Sequence, residues 1–445
     1  MSDATLLSSM AEPEWAAFVA IDWADQKHFW RLALAESGQQ EHGELENTPE
    51  AVDTWATGLS ARFGGRPIAV CLEQSRGSLT YMLAKYPHLV LFPVHPKTAA
   101  QYRETFCPSG AKSDPSDTAS LLDLLQRHRE RLRQLQPDTI PTRLLQSLVE
   151  TRRRTVDEKT RQKNRLTDCL KRYFPQVLKW FDEVDSPLVG ALLERWANLT
   201  ELKRAHPGTL RKFFHEQNCR SEERIRERIA EIQTAIPATL DAAILEGEAF
   251  HARGLVALLK TLRSNIDALD QRIAQLVAEH PEGSLFGSLP GAGPALVPRL
   301  IVAFGTRRER YHSAYEMQCF SGIAPVTEAS GKSHWVHFRR ACPKFLRQTF
   351  HEFASHSIRY SEWARAFYDS QMAKKKSHHA AVRTLAHRWI RIIYRCWKDG
   401  KPYDEQTYLR SLQRRGSPVI GSFAFVTGAG WKAVAGFQKF SQENS

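Results

Sequence analysis

Residues 17–24 read AFVAIDWA, a short apolar run that ends at Asp22. Such a run is typical of a buried strand that brings the polar side chain at its end to the edge of a sheet. A second run, PIAVCLEQS at residues 67–75, leads to Glu73, and a third, HLVLFPVHP, covers residues 88–96. The pattern predicts an α/β domain. Its expected strands lie near 17–23, 28–36, 67–73 and 89–94, with helices near 49–62 and 78–86.

After a predicted loop, the stretch KSDPSDTASLLDLL at residues 112–125 begins a helix that carries Asp114 and Asp117. A spacing of three places both carboxylates on one face of the first turn, where the helix dipole favours negative charge. Two carboxylates so close repel each other unless a cation lies between them. Oxygen ligands suit Mg²⁺, and two ions about 3.5 to 4 Å apart can bind the attacking and leaving oxygens of a phosphoryl transfer. The sequence therefore predicts a Mg²⁺ or Mn²⁺ site made by Asp22, Glu73, Asp114 and Asp117.

Each of these carboxylates also has an ordinary structural explanation. Asp117 could start the helix, Asp114 could cap it from the loop, and Glu73 could be a surface residue after a strand. Their order along the chain favours the metal site. An RNase H-like sheet needs a strand, a long gap, a second strand and a helix with a D-x-x-D motif to bring four carboxylates to one edge.

Composition agrees with a nucleic-acid enzyme. The chain has 445 residues, enough for two or three domains, and its 62 Lys and Arg against 49 Asp and Glu give a net charge of +13. This charge favours a polyanionic partner, although a generic basic surface would give it too. Seven scattered cysteines without a C-x-x-C pair indicate neither disulfides nor zinc and suit a reducing cytoplasm. No apolar run reaches the roughly 18 residues of a membrane span, and we expect neither a membrane partner nor a secretion signal.

From about residue 118 to 280 the apolar pattern becomes helical, interrupted by prolines. The first long helix carries arginines at spacings of seven, four and seven, a stripe that could follow a phosphate backbone or be a solvated charged face. The stripe consists of Arg154, Arg161, Arg165 and Arg172. The last helix of this part has a narrow leucine and isoleucine seam between Leu255 and Leu276, which requires a partner helix from the same chain or from a second copy.

Residues 287–305 read GSLPGAGPALVPRLIVAFG. Pro290, Gly291 and Gly293 predict a tight turn between two short helices, with backbone N–H groups at the start of the second helix able to meet a phosphate. Such a turn resembles a helix-hairpin-helix, which binds the DNA backbone without contacting the bases. A plain turn between two helices is the alternative.

The segment SGKSHWVHFRR at residues 330–340 combines a serine with cationic and aromatic side chains. A serine hydroxyl becomes a nucleophile only when a base or a metal activates it. Cations such as Lys332, Arg339 and Arg340 would stabilise the charge that grows on a pentavalent phosphorus. Composition alone favours the interpretation of Ser330 as a turn residue over its interpretation as a nucleophile.

These motifs together resemble a family of insertion-sequence transposases, to which pilin-gene inverting recombinases are related. Members join an N-terminal RuvC-like domain with a D-E-D-D tetrad to a C-terminal transposase domain with a catalytic serine. The resemblance covers roughly residues 15 to 400 and rests on AIDWA, CLEQS, KSDPSDT, LPGAGPALVPRLIVAFG, and FSGIAPVTEASGK followed by CPKFLR. The family often has S-S-G-G where this chain has Ala329, Ser330, Gly331 and Lys332, and commonly has a glycine before its L-R pair where Cys342 and Pro343 stand here.

The resemblance implies that Asp22, Glu73, Asp114 and Asp117 are the metal-binding tetrad and that Ser330 becomes joined to DNA through a phosphate. It also implies a homo-oligomer, a dimer or tetramer with composite sites, and a structured noncoding RNA that selects donor and target DNA. The expected parts are a RuvC-like catalytic domain at 14–128, a helical and coiled-coil region at 129–280, a mostly helical serine-containing transposase domain at 281–404, and a tail at 405–445 without an assigned role. A metal-dependent nuclease or junction resolvase that uses water, and a non-catalytic nucleic-acid scaffold, are the alternatives.

Overall fold

The structure is a computed structural model that describes residues 14–73, 75–106 and 113–416. It divides into a first unit up to residue 137 and a second unit from residue 138 onward, and each is described by itself. Within its described residues, the first unit contains a five-stranded sheet, four α-helices and a short 3-10 helix at Arg129–Arg131. In chain order these elements are β1 (Ala17–Asp22), β2 (Lys27–Leu34), β3 (Gln40–Glu46), α1 (Pro49–Arg62), β4 (Ile68–Leu72), α2 (Ser78–Leu83), β5 (Leu89–Pro93), α3 (Pro96–Phe106) and α4 (Asp114–His128).

The sheet has the strand order β3-β2-β1-β4-β5. Strands β1, β4 and β5 are parallel, whereas β2 runs antiparallel to both β1 and β3. The mixed α/β architecture, the four predicted strands and the two predicted helices are confirmed. All five residues of β4 are buried, which explains why its sequence is a continuous apolar run.

Two elements of this unit were not predicted. Strand β3 is a polar edge strand, QEHGELE, in which only Leu45 is buried, and Gly43 lets the Trp30 ring of β2 lie against its backbone. Helix α3 occupies the predicted loop, and of its residues only Ala99 is buried. Neither element has the apolar periodicity on which the prediction depended.

Helix α4 packs on one face of the sheet through Leu121, Leu122, Leu124 and Leu125. The sheet residues beneath them are small, and their short side chains let the helix approach closely. They include Ala20, Ala33, Ala69 and Cys71. A separate apolar cluster on other residues of the same strands includes residues of α1 and α2. The sheet is therefore covered by two layers of apolar side chains.

The second unit is mostly helical, as predicted. Its elements are α5 (Ile140–Tyr173), α6 (Gln176–Trp180), α7 (Pro187–Arg195), α8 (Leu199–Arg204), α9 (Pro207–Glu216), α10 (Glu222–Thr234), α11 (Ala242–Glu279), α12 (Gly283–Gly287), α13 (Gly293–Phe304), α14 (Ala314–Phe320), β6 (Val326–Ser330), β7 (Ser333–His337), α15 (Lys344–Ser357), α16 (Glu362–Ala373), α17 (His378–Asp399) and α18 (Glu405–Arg414). Helix α18 begins the predicted tail, of which residues 417–445 lie outside the described residues.

Helices α5 and α11 pack against each other in antiparallel directions. Arg172 near the end of α5 pairs with Glu248 near the start of α11, whereas Thr142 at the start of α5 contacts His280 just after α11. The leucine seam of α11 thus has a partner helix within the chain, which was one of its two predicted partners. Leu255 and Leu276 are buried, but Leu258 remains 51% exposed.

The apolar residues of α17 form the centre of the C-terminal core. Val382, Leu385, Trp389 and Ile393 are fully buried, as their helical spacing predicts. Trp397 is also buried and donates its indole N–H to the carbonyl of Gly305 at 2.7 Å. Over the described residues, none of the helices has both the length and the apolar character needed to cross a membrane.

Candidate active site: the carboxylate edge and the serine hairpin

Strand pairing places Asp22 beside Glu73. Ile21 and Leu72 are partners in the parallel pairing of β1 and β4, and Asp22 and Glu73 are the next residue of each chain segment. Neighbouring strands of a sheet are about 4.8 Å apart, so the two carboxylates leave the same edge side by side. Both are half-buried.

The first turn of α4 is held in place by side chains around it. The N–H of Ser113 donates to Ser116 Oγ at 3.2 Å, which closes the start of the helix. Arg31 of β2 donates to the carbonyl of Pro115 at 3.4 Å and ties this turn to the sheet. Ser113 occupies the N-cap position, so Asp114 does not cap the helix from the loop, whereas Asp114 and Asp117 both lie in its first turn.

Asp117 and Glu73 line one small pocket, together with Tyr102, Arg103 and Ser120. Asp117 is only 5% exposed, and its carboxylate accepts a hydrogen bond from Arg103 Nη1 at 2.6 Å. This hydrogen bond, with the charges of Asp117 and Glu73, raises the pKa of Arg103 above its ordinary value. The guanidinium thus supplies positive charge where two of the predicted metal ligands meet.

The four predicted carboxylates are not equally close. Glu73 and Asp117 share the pocket and Asp22 lies next to Glu73 by strand pairing, whereas Asp114 is exposed at the start of α4. Among the described residues, no three carboxylates of the tetrad have oxygens within 4.8 Å of one another. The all-oxygen donor set nevertheless fits a hard divalent cation, which would offset the mutual repulsion of the carboxylates.

Arg103 is a residue that sequence reasoning missed. It lies on α3, in the stretch that was predicted to be a loop. A cationic residue on such a stretch carries no signal of its own, and only the position of α3 beside α4 shows that it reaches Asp117.

Ser330 lies at the tip of a β-hairpin. It ends β6 and pairs with Ser333, the first residue of β7, so Gly331 and Lys332 form the two-residue turn. Gly331 has a φ of 57°, a conformation that favours glycine. All residues of the hairpin except Val326 are exposed. The sequence did not predict these strands, because an exposed hairpin has no apolar face to reveal it.

The face of the hairpin that carries Ser330 also carries Glu328 and Trp335. Alternate residues of a strand share a face, and Glu328 is the partner of Trp335 across the hairpin. His337, on the same face, contacts Glu328 at 3.4 Å. Within the described part of the chain, no hydrogen bond to Ser330 Oγ is formed.

The predicted nucleic-acid-binding residues differ in whether they already form hydrogen bonds or ion pairs within the chain. Arg339 donates to the carbonyls of Ala324 and Pro325 at 3.2 and 3.3 Å and so anchors the base of the hairpin, whereas Arg340 and Lys332 are exposed. In the helical stripe all four arginines are exposed, but Arg161 pairs with Glu158 and Arg172 with Asp168 and Glu248. Binding of nucleic acid by these residues stays a prediction.

The predicted glycine turn joins α12 to α13. Gly291 and Gly293 have φ values of 78° and 55°, as a tight turn requires. A Cβ on Gly291 would lie 2.9 Å from the Tyr360 ring and 3.1 Å from the backbone of His356, whereas one on Gly293 would meet nothing within 4 Å. The turn between two helices is confirmed, and its use for DNA stays a prediction.

The chain thus combines an α/β unit that carries Asp22 and Glu73 side by side at one sheet edge with a helical unit that carries an exposed serine hairpin. Two family models match the chain: one described as transposase at residues 19–175, and one described as transposase of the IS116/IS110/IS902 family at residues 283–369. Together they cover more than half of its length. The chain belongs to this family of insertion-sequence transposases and is thus an enzyme.

Individual relatives agree with this assignment. A putative transposase of the IS117 mini-circle from Streptomyces coelicolor is 27% identical over 425 residues, which cover 89% of this chain and 97% of that protein. An uncharacterized 43.6 kDa protein of insertion element IS110 from the same organism is 26% identical, over 78% of this chain and 85% of its own. An uncharacterized 42 kDa protein of insertion element IS900 from Mycobacterium paratuberculosis is 25% identical, over 80% of this chain and 85% of its own.

Proposed function

We propose that the protein is a DNA transposase that cleaves and exchanges strands at specific sites, with an RNase H-like, RuvC-like first domain. Asp22, Glu73, Asp114 and Asp117 hold Mg²⁺ or Mn²⁺, and Ser330 is the nucleophile. The observation that carries the proposal is the strand pairing that sets Asp22 beside Glu73, combined with the pocket that Glu73 shares with Asp117.

In this proposal Ser330 Oγ attacks the scissile phosphorus and loses its proton to a base, while the bridging oxygen of the cleaved strand leaves. One P–O bond forms and one breaks, so the phosphoserine link conserves the bond for rejoining. A hydroxyl of the incoming strand then attacks the same phosphorus, and the serine leaves. Asp22, Glu73, Asp114 and Asp117 would hold the divalent ions, which would supply Lewis-acid stabilisation of the phosphoryl charge.

The proposed partners are donor and target DNA, a structured noncoding RNA that selects them, and further copies of the chain as a dimer or tetramer. The net charge of +13 and the exposed Lys332, Arg340 and Arg154 support a polyanionic partner. The exposure of Ser330 at the hairpin tip is consistent with a composite site in which the carboxylates come from another copy.

The test is denaturing electrophoresis of the protein after incubation with labelled DNA and Mg²⁺. We expect a covalent protein–DNA species that maps to Ser330, that Ser330→Ala abolishes, and that a chelator prevents. Ser333→Ala is the matched control, because Ser333 faces Ser330 across the hairpin tip, and it should keep the adduct. An adduct that persists in Ser330→Ala would overturn the assignment of the nucleophile.

A metal-dependent nuclease or junction resolvase is the second candidate. The observation that favours it is that no base among the described residues hydrogen-bonds to Ser330 Oγ, so water activated at the carboxylates could be the nucleophile. The same electrophoresis separates the two functions. Cleavage without any adduct, at equal rates in the wild type and Ser330→Ala, would establish the nuclease.

A further inference from the structure

Phe338, directly after the serine hairpin, contacts two guanidinium groups. The Cζ of Arg347 on α15 lies 4.6 Å from the centre of its ring, and the Cζ of Arg383 on α17 lies 4.5 Å from it. Arg347 is further fixed by hydrogen bonds from Nη1 to the carbonyl of Arg339 at 3.1 Å and to Cys342 Sγ. The ring and these contacts hold two cations near each other.

Neither cation has a carboxylate partner in the described part of the chain. Arg299 and Arg395 differ from them, since Arg299 pairs with Glu352 at 2.5 Å and Arg395 on α17 pairs with Asp399 at 2.6 Å. Burial, and then the charge of Arg347, lower the pKa of Arg383. Two like charges held together without a counterion are unfavourable until an anion binds.

Three histidines, His351 on α15 with His378 and His379 on α17, cluster at the facing sides of these two helices. The rings of His351 on α15 and His379 on α17 are 5.6 Å apart, and the ring of His378 is 5.3 Å from that of His379. Burial is the main cause that lowers the pKa of His351, and the charges of His379 and Arg383 lower it further. The facing sides of α15 and α17 therefore bring nitrogen donors together beside Phe338.

We propose that Arg347 and Arg383, spaced by Phe338, bind a backbone phosphate of the DNA whose strand Ser330 attacks. This inference rests on the proposed function and adds a specific phosphate site to it. Guanidinium groups suit the site because their planar donors bind phosphate oxygens in pairs and stack on aromatic rings.

The hairpin sets the distance between this site and the nucleophile. Phe338 follows the base of the hairpin and Ser330 lies at its tip, which separates them by roughly 15 Å at the rise of a strand. Along a duplex this corresponds to about four or five base steps. The arginine pair would thus hold a phosphate that flanks the scissile one, and it contributes to binding more than to chemistry.

The test measures the salt dependence of binding to a labelled duplex by fluorescence anisotropy. Each phosphate contact contributes about 0.9 to the slope of log K against log salt concentration. We expect Arg383→Gln and Arg347→Gln each to weaken binding and reduce the slope, and the double variant to reduce it by about 0.9 in total, because both arginines bind one phosphate. Arg395→Gln is the matched control, because it removes one charge from the same helix as Arg383 and should leave the slope unchanged.

Two further measurements separate binding from folding and DNA from RNA. Arg383→Lys keeps the charge and should keep the slope. Glutamine variants with a lower unfolding temperature but the wild-type slope would overturn the proposal, because the arginines would then be structural. A slope change confined to an RNA of the same sequence would overturn the assignment to DNA. Binding is measured in the Ser330→Ala background without Mg²⁺, so the result does not depend on whether the serine forms an adduct.

Discussion

The carboxylate edge and the serine hairpin present their functional side chains in opposite ways. Asp22 and Glu73 follow strands whose central residues are fully buried, and Asp117 stands on a helix packed across the same sheet. Ser330 stands at the tip of an exposed hairpin without a core of its own. The carboxylates are thus positioned by the packed core of the sheet, whereas the serine is positioned by an exposed hairpin that Arg339 anchors at its base.

The largest expected effect comes from removing a ligand of the carboxylate edge. Asp117→Asn takes away a charge that a divalent ion requires, and we expect strand cleavage to fall roughly a thousandfold, since such an ion contributes several kcal/mol. The measurement is the cleavage rate across a Mg²⁺ titration. Glu130→Gln is the control, because Glu130 is an exposed acid just after the same helix and does not line the pocket that Glu73 shares with Asp117. Near-normal cleavage by Asp117→Asn would show that the edge is not a metal site.

The second effect concerns the packing that positions this edge. Leu125 of α4 is 0% exposed against the sheet, and Leu125→Ala should lower the free energy of unfolding by about 2 to 5 kcal/mol. Urea denaturation, followed by circular dichroism, measures the loss. A change below about 1 kcal/mol would mean that α4 is not firmly packed and that the fold does not fix Asp117.

The third effect concerns the cation that already lies at the edge. Arg103 contacts Asp117 and lies close enough to Glu73 for its pKa to respond, so its charge opposes a second cation there. Arg103→Gln should lower the Mg²⁺ concentration for half-maximal cleavage by about tenfold, as expected for removing one like charge at short range. Arg127→Gln, an exposed charge on α4, is the control. A higher Mg²⁺ requirement would instead indicate that Arg103 holds Asp117 in position.

The same contrast explains how much could be predicted from the sequence. The runs before Asp22 and Glu73 are apolar because both strands are buried, so the strands and the carboxylates at their ends were predictable. Ser330 was identified by resemblance, but its hairpin was not, because exposed strands leave no periodic signal. Arg103 and the pair formed by Arg347 and Arg383 depend on contacts between separate helices. Such contacts leave no trace in local sequence spacing, and only the tertiary structure reveals them.

The smallest expected effect tests the hairpin itself. Trp335 is 64% exposed on the same face as Ser330, so Trp335→Ala should change the free energy of unfolding by less than about 0.5 kcal/mol. Urea denaturation of Trp335→Ala and Leu125→Ala under the same conditions compares the two losses of unfolding free energy. A loss as large as that of Leu125→Ala would mean that the indole is buried in solution against another surface. The serine would then be positioned as firmly as the carboxylates, and the contrast between the two regions would no longer hold.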